Sequence, residues 1–375
     1  MNTTEAAHAS ATASQQGMTT VRIQVASDLH LEFADSKTLN VDEIVAPTGA
    51  SILALVGDIG SPAKPIYATF LATMAARYEH VLVLAGNHEY YGGSAPDAPT
   101  MADLAVMIRE TCDAHANVHF LDDDAVVLDG VRYVGSTLWS FVPEALRKRC
   151  TKDMNDYHLI RTTNVHTPTE PLPKRRPSTW TFVDTYADGE DDSRWHGDND
   201  EDSRRSSATP LSNGDGLLTV DDTNALHAAA VEFLQEQIAE AAAVPDGRQP
   251  VVVLTHHAPS FKSIHRRYAT SLVTCAFVTN LERLMRPPVV LWLHGHTHTA
   301  CDYEVTIGSD TDRNGNGGNT DGDTKHRVRV VNNPMGYREE RAHSGYAKDK
   351  VVEIACPLST SWSSSISIRQ GTGGR

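Results

Sequence analysis

Five apolar runs in this chain stop abruptly at side chains that bind metals or carry protons, and that repetition constrains the fold more than any other feature. Residues 21–27 run into Asp28-Leu29-His30, and residues 51–56 into Gly57-Asp58. Residues 81–85 run into Gly86-Asn87-His88-Glu89. Residues 251–254 run into Thr255-His256-His257, and residues 289–293 into His294-Gly295-His296-Thr297-His298. Each run has the length of a buried strand. Polar groups just past such a strand are costly unless something uses them. In α/β sheets, ligands bind at the carboxyl ends of the strands.

Helical patterns separate these strands. One covers about Pro65 to Tyr78, with apolar Phe70, Leu71, Met74 and Ala75; a second covers 100–115. A third runs from Asp221-Asp222 to Ala243, with Leu226, Ala230, Phe233, Leu234 and Ile238 on one side. Short strands are expected at 118–121, 125–128, 131–134, 301–307 and 327–331, and residues 140–165 are helical in tendency but mixed. This alternation predicts an α/β protein with a largely parallel core.

Two low-complexity stretches interrupt the pattern, at about 165–220 and 308–325. The first holds twelve acidic residues and three arginines between Asp184 and Asp222, so it carries most of the formal net charge of -15. Such composition cannot bury a core, and disorder is expected over 185–215. The second reads as an expanded hairpin loop; its Asp and Asn residues lack the spacing and closing Glu of an EF-hand. Residues 1–20 read as a disordered tail, 21–360 as one domain carrying the two insertions, and 361–375 as a C-terminal tail. The acidic balance speaks against a nucleic-acid partner. No apolar run of about 18 residues is present, so no membrane span is expected. Five widely spaced cysteines without a CxxC pair fit a reducing, cytoplasmic setting.

Carboxylate and imidazole donors together suit Mn, Fe, Zn or Co better than Ca or Mg. The Asp-x-His and His-x-His pairs are expected to converge because alternate residues of an extended chain share a side. A lone Asp or His after a strand is ordinarily a turn, cap or hydrogen-bonded structural residue. Five such ends in one chain argue for a common site.

Taken in order, Asp28-Leu-His30, Gly57-Asp58, Gly86-Asn-His-Glu89, His256 and Gly295-His-Thr-His298 resemble the full motif set of the calcineurin-like metallophosphoesterases. The resemblance spans about residues 20–360 outside the insertions. Gly135-Ser-Thr-Leu-Trp139, Asn155-Asp-Tyr157, Thr255-His-His-Ala-Pro-Ser260 and Asn333-Pro-Met-Gly-Tyr337 resemble a bacterial and protozoan branch of phosphoesterases. Met335 stands where that branch often carries arginine.

The resemblance implies a four-layer α/β/β/α sandwich of two mixed sheets, the metallophosphatase fold. It also implies two divalent metal ions, manganese first, with iron, zinc or cobalt as alternatives. Asp28, His30 and His298 would bind one ion; Asn87, His256 and His296 the other; Asp58 would bridge them. A hydroxide shared by the two ions would attack a phosphomonoester or phosphodiester, and His88 would protonate the leaving oxygen. Two other functions stay open: a scaffold that keeps the fold without chemistry, and a nuclease.

Neighbouring polar residues have quieter readings. Glu89 is expected to orient an imidazole. His257 should point away from its neighbour His256, and His294 should be a satisfied strand-end histidine. Tyr90 and Tyr91 are pocket or packing residues. Asn155-Asp156-Tyr157 reads equally as a substrate cluster or a helix cap. His265-Arg266-Arg267 reads as a solvated basic run near the site.

Overall fold

The computed structural model describes residues 18–35, 39–162, 216–244, 249–308 and 325–357. The expected disorder over 185–215, most of both insertions, the C-terminal tail and all but the end of the N-terminal tail lie outside the described residues. The strands are β1 (Met18–Ala26), β2 (Ile52–Val56), β3 (His80–Leu84), β4 (Val118–Phe120), β5 (Asp124–Leu128), β6 (Val131–Ser136), β7 (Val251–Thr255), β8 (Val289–His294), β9 (Cys301–Ile307), β10 (His326–Asn332) and β11 (Val351–Pro357). The helices are α1 (Val41–Ile44), α2 (Pro65–Ala75), α3 (Met101–Asp113), α4 (Arg147–Asp153), α5 (Asp156–Leu159) and α6 (Val220–Ala242).

Two mixed sheets form. One has the order β11-β1-β2-β3-β4, with β11 antiparallel to β1 and the others parallel. The other has the order β5-β6-β7-β8-β10-β9; β6, β7, β8 and β10 run parallel, flanked by antiparallel β5 and β9. Alternate residues of each strand serve different layers, as the strand period requires. Ile52, Ala54, Val56, Leu82 and Leu84 pack between the sheets against Tyr133, Val252, Leu254, Leu291 and Leu293. Leu53, Leu55, Val81 and Val83 face outward onto Phe70, Leu71 and Met74 of α2 and Leu104 and Ile108 of α3. On the far side, Val251, Val253 and Trp292 pack against Ala230, Leu234 and Ile238 of α6. The result is the α/β/β/α sandwich.

Local chemistry explains the helix starts. α2 opens on Pro65, whose fixed φ suits the first turn. α3 and α6 each begin with a complete capping box, Thr100 with Asp103 and Thr219 with Asp222. β9 and β10 pair antiparallel, as a hairpin must. The mixed 140–165 stretch resolves into a short 3-10 turn (Glu144–Leu146), α4 and α5. β1 begins at Met18, three residues inside the expected N-terminal tail. β11 was not expected from sequence; Val352 and Ile354 join the inter-sheet core beside β1. Among the described residues, no helix is long and apolar enough to cross a membrane.

Candidate metal centre

The carboxyl ends of β1, β2 and β3 meet those of β7 and β8 across the two sheets. The loops that follow are tied by backbone bonds. Asp28 N–H donates to Gly57 O at 3.0 Å, His30 N–H to Asp58 O at 3.0 Å and Gly295 N–H to His256 O at 3.0 Å. A parallel bridge from Ser27 to Pro334 adds the segment after β10.

Three groups of ligand-type atoms result. Asp28, His30, Asp58 and His298 form one; Asp58, His256 and His296 form a second; His30, Glu32 and His88 form a third. Within each group the ligand atoms lie within 4.8 Å of one another, and Asp58 belongs to the first two. The Asn87 amide oxygen sits 3.2 Å from His256 Nε2, at the edge of the second group. Asp28, His30, Asp58, His256 and Asn87 are all buried, as is His296.

The pairs converge by a route other than the expected one. Asp28 (φ 53°), His30 (φ 48°), Asp58 (φ 53°), His296 (φ 67°) and His298 (φ 45°) all adopt left-handed backbone. The Asp-x-His and His-x-His pairs are therefore not extended segments. Each turns sharply and aims its side chains inward. A non-glycine residue there costs on the order of 1–3 kcal/mol, and such residues cluster at functional sites. Glycines let the loops close: a Cβ on Gly86 would lie 2.2 Å from Asp58 Oδ1, and one on Gly57 would lie 2.3 Å from His256 Nδ1.

Three of the four imidazoles are turned by a bond at the other nitrogen. His30 Nδ1 donates to Glu32 at 3.0 Å, His256 Nδ1 to the Val56 carbonyl at 3.0 Å and His298 Nδ1 to Glu340. These acceptors carry no proton, so each Nδ1 is the protonated nitrogen and each Nε2 faces the centre. His30 Nε2 and His298 Nε2 lie 3.1 Å apart. His296 Nε2 is buried with no hydrogen-bond partner. A buried lone pair without a donor, among carboxylates and other imidazoles, fits a metal ion. Asn87 is fixed likewise: its amide nitrogen donates to Asp156 (2.8 Å) and Tyr91 (3.0 Å), leaving its oxygen toward His256.

The charges agree. Burial opposes protonation of His256 and His298. The carboxylates of Asp58 and Asp28 outweigh it at His256 and raise that pKa to about 9. Those of Asp28 and Glu340 raise His298 to about 10. The same carboxylates that hold protons here would hold cations. His296 goes the other way: burial, then the neighbouring His257 and His256, keep its pKa well below the usual value.

His88 stands beside the two groups that share Asp58, in the third group with His30 and Glu32. Its backbone N–H donates to Asp58 Oδ1 at 2.9 Å. Its Nδ1 lies 3.1 Å from Glu32 Oε1, and its Nε2 lies 2.8 Å from the Tyr337 hydroxyl. Burial disfavours its charged form, but Asp58 and Glu32 prevail and its pKa is raised.

Other residues take roles the sequence did not indicate. Glu89 orients backbone and not an imidazole: its carboxylate accepts from the N–H groups of Asp58, Ile59, Gly60 and Gly86 at 2.6–3.1 Å. It therefore staples the loop after β2 to the loop after β3. Asp156 holds Asn87 and Tyr91, while Asn155 stands at the N-cap position of α5 and lines the cleft. Met335 is buried in the core under the helices. Its neighbour Tyr337 is the residue that reaches the cleft. Glu32 and Glu340 were missed; Glu32 lies two residues past His30 in the turn after β1, and Glu340 lies close to the Asn333–Tyr337 motif, so either position could have flagged them. His257 is buried behind the site, its Nδ1 donating to Thr137 O at 3.1 Å. His294 is satisfied by Ser263 and the Gly295 carbonyl. Tyr90 packs in the core beside Trp139.

The site opens into a cleft of about 350 Å³. Its lining includes Asp58, Asn87, His88, His296 and His298, with Tyr91, His265 and Tyr337.

A family model described as calcineurin-like phosphoesterase matches residues 21–300. An uncharacterized protein of Acanthamoeba polyphaga mimivirus is 26% identical over 289 residues, covering 74% of this chain and 84% of that protein. Among solved structures, the phosphopantetheinyl hydrolase of Mycobacterium tuberculosis has a TM-score of 0.47 at 16% identity, covering 88% of this chain and 95% of the other. A dimetal phosphatase of Danio rerio has a TM-score of 0.38 at 12% identity, covering 83% and 86%. A putative 5'-nucleotidase of Staphylococcus aureus has a TM-score of 0.36 at 12% identity, covering 90% and 51%.

Proposed function

Because this chain belongs to the calcineurin-like phosphoesterase family, we propose that it is a metal-dependent hydrolase of phosphomonoesters or phosphodiesters. One observation carries the reading: two clusters of buried ligand atoms share the Asp58 carboxylate. In this reading Asp28, His30 and His298 would hold one ion, Asn87, His256 and His296 would hold a second, and Asp58 would contribute to both. Manganese is the first choice, with iron, zinc and cobalt accepted by the same donors. Two such ions would supply Lewis acidity, lowering the pKa of a bound water and neutralising phosphoryl oxygens.

The chain's own residues do the rest. Asn87 is a neutral donor, so it adds no negative charge to a site meant for an anion. Glu32, Glu340, Asp156 and the Val56 carbonyl fix the orientation of the donor side chains. His88 carries a proton held by its carboxylate neighbours and gives it to the leaving oxygen from Nε2. The Tyr337 hydroxyl, 2.8 Å from that nitrogen, fixes the imidazole at the cleft wall.

The test is Asp58→Ala. Metal analysis should show fewer bound ions per chain, and manganese-supported hydrolysis of p-nitrophenyl phosphate or bis(p-nitrophenyl) phosphate should vanish while the fold survives. A variant with full activity would disprove the reading.

A further inference from the structure

None of the five cysteines has a part in the metal centre, yet two of them meet behind the cleft. Cys150 of α4 and Cys275 of the 3-10 turn Thr274–Ala276 stand 125 positions apart in the chain, and their Sγ atoms lie 3.7 Å apart. Both are free thiols; Cys150 is fully buried and Cys275 is 8% exposed. Of the five thiols these are the two that touch, whereas Cys301 Sγ faces Ser263 and His294. A disulfide holds its sulfurs about 2.05 Å apart, so a closure of about 1.7 Å separates the pair from a covalent link.

Both thiols belong to elements that line the cleft. Asp153, Met154 and Asn155, at and just past the end of α4, line it, and so do Val273, Thr274 and Phe277 around the turn. Phe277 N–H donates to Thr274 O at 2.9 Å, so its ring moves with the turn. That ring stacks on His296, with centroids 4.5 Å apart and planes 22° apart. Cys150 is wholly buried under the helices, whereas the turn follows an exposed run, residues 265–272. The turn is therefore the side that yields when the sulfurs close.

We propose that Cys150 and Cys275 are a reversible modification site: a hydroperoxide joins them in a disulfide, and the closing turn draws the Phe277 ring off its seat on His296. A thiolate of the pair attacks one peroxide oxygen; the O–O bond breaks, and the other oxygen leaves as water or an alcohol. The second sulfur then attacks the sulfenic acid so formed; the S–O bond breaks, its oxygen leaves as water, and the S–S bond forms. The two thiols give up two electrons and two protons, and the peroxide takes both. Cys275, the more exposed member, gives hydrogen peroxide its entry. The disulfide and its effect on metal binding stand apart from the phosphoesterase reading; the effect on turnover rests on that reading.

The experiment treats the full chain, reduced and stripped of metal, with hydrogen peroxide, then alkylates, digests and maps it by mass spectrometry. The expected result is a peptide pair joined through Cys150 and Cys275, with those two of the five free thiols lost and both regained on reduction with a phosphine. Calorimetry should show manganese bound about tenfold more weakly by the oxidised protein, the usual cost of displacing a group that orients a ligand. The kcat/KM for p-nitrophenyl phosphate should fall with it, and reduction should restore both. Cys275→Ala should give no link and keep its manganese affinity after peroxide; mapping of the unaltered chain decides the link even where that variant unfolds. No link between Cys150 and Cys275, or a link that leaves manganese affinity unchanged, would overturn the proposal and leave the phosphoesterase reading standing. No hydrolysis by the reduced protein with Mn, Fe, Zn or Co would overturn that reading alone.

Discussion

Asn87 and His88 are adjacent, yet their surroundings assign them different tasks. Asn87 has its nitrogen held by Asp156 and Tyr91 and its oxygen turned to His256. His88 has both ring nitrogens engaged, by Glu32 and Tyr337. Asn87→Ala should therefore lower metal occupancy, measured by elemental analysis of the purified protein. His88→Ala should keep its metal and lose about 10²–10⁴ in kcat, the usual share of a general acid. An empty site in His88→Ala would mean that His88 is a ligand. At this scale the sequence revealed the donors, because each follows an apolar run. It did not reveal Glu32, Glu340 or Asp156 as orienting groups. Those carboxylates act only through contacts made in space, such as Asp156 reaching Asn87 from 69 positions away.

α6 illustrates how an element supports the site from outside. Its Ala230, Leu234 and Ile238 cover the outer face of the six-stranded sheet. On the same helix His227 is buried, its Nδ1 donating to Leu138 O at 3.1 Å. Burial pushes the His227 pKa down to about 4, against about 6.5 in an unfolded chain. The unfolded state thus binds the proton more readily. Stability from this residue is fully present above about pH 6.5 and is lost as the pH falls through about 4, a change on the order of 3 kcal/mol. Urea unfolding from pH 7 to pH 4 should show this slope, and His227→Gln should flatten it; an equal slope in the variant would remove His227 as the cause. The helix was legible because its apolar period and the acidic pair Asp221-Asp222 at its start agree. β11 was not: its burial comes from pairing with β1 across the whole chain length, and no local turn signal announces that partner.

Taken whole, the protein gathers Asp28, Asp58, Glu32 and Glu89 in a small volume, with Asp28 and Asp58 fully buried. Carboxylates so close repel one another unless positive charge intervenes, so bound cations should stabilise the fold. By mass action, metal at about 100 times its dissociation constant contributes about 2.7 kcal/mol. Treatment with a chelator should lower Tm, and added manganese should restore it; a Tm indifferent to both would argue against bound metal in the native state.

The sequence by itself determined the layered α/β class, the five strand ends and the donor types, since these follow from local runs of apolar residues and what stops them. Tertiary structure decided how the donors meet. Left-handed turns at Asp28, His30, Asp58, His296 and His298, and not extended strands, aim them inward. A left-handed turn is disfavoured for such residues in an isolated chain; backbone bonds between loops from different strands, with Glu89 stapling two of them, hold it in the folded one.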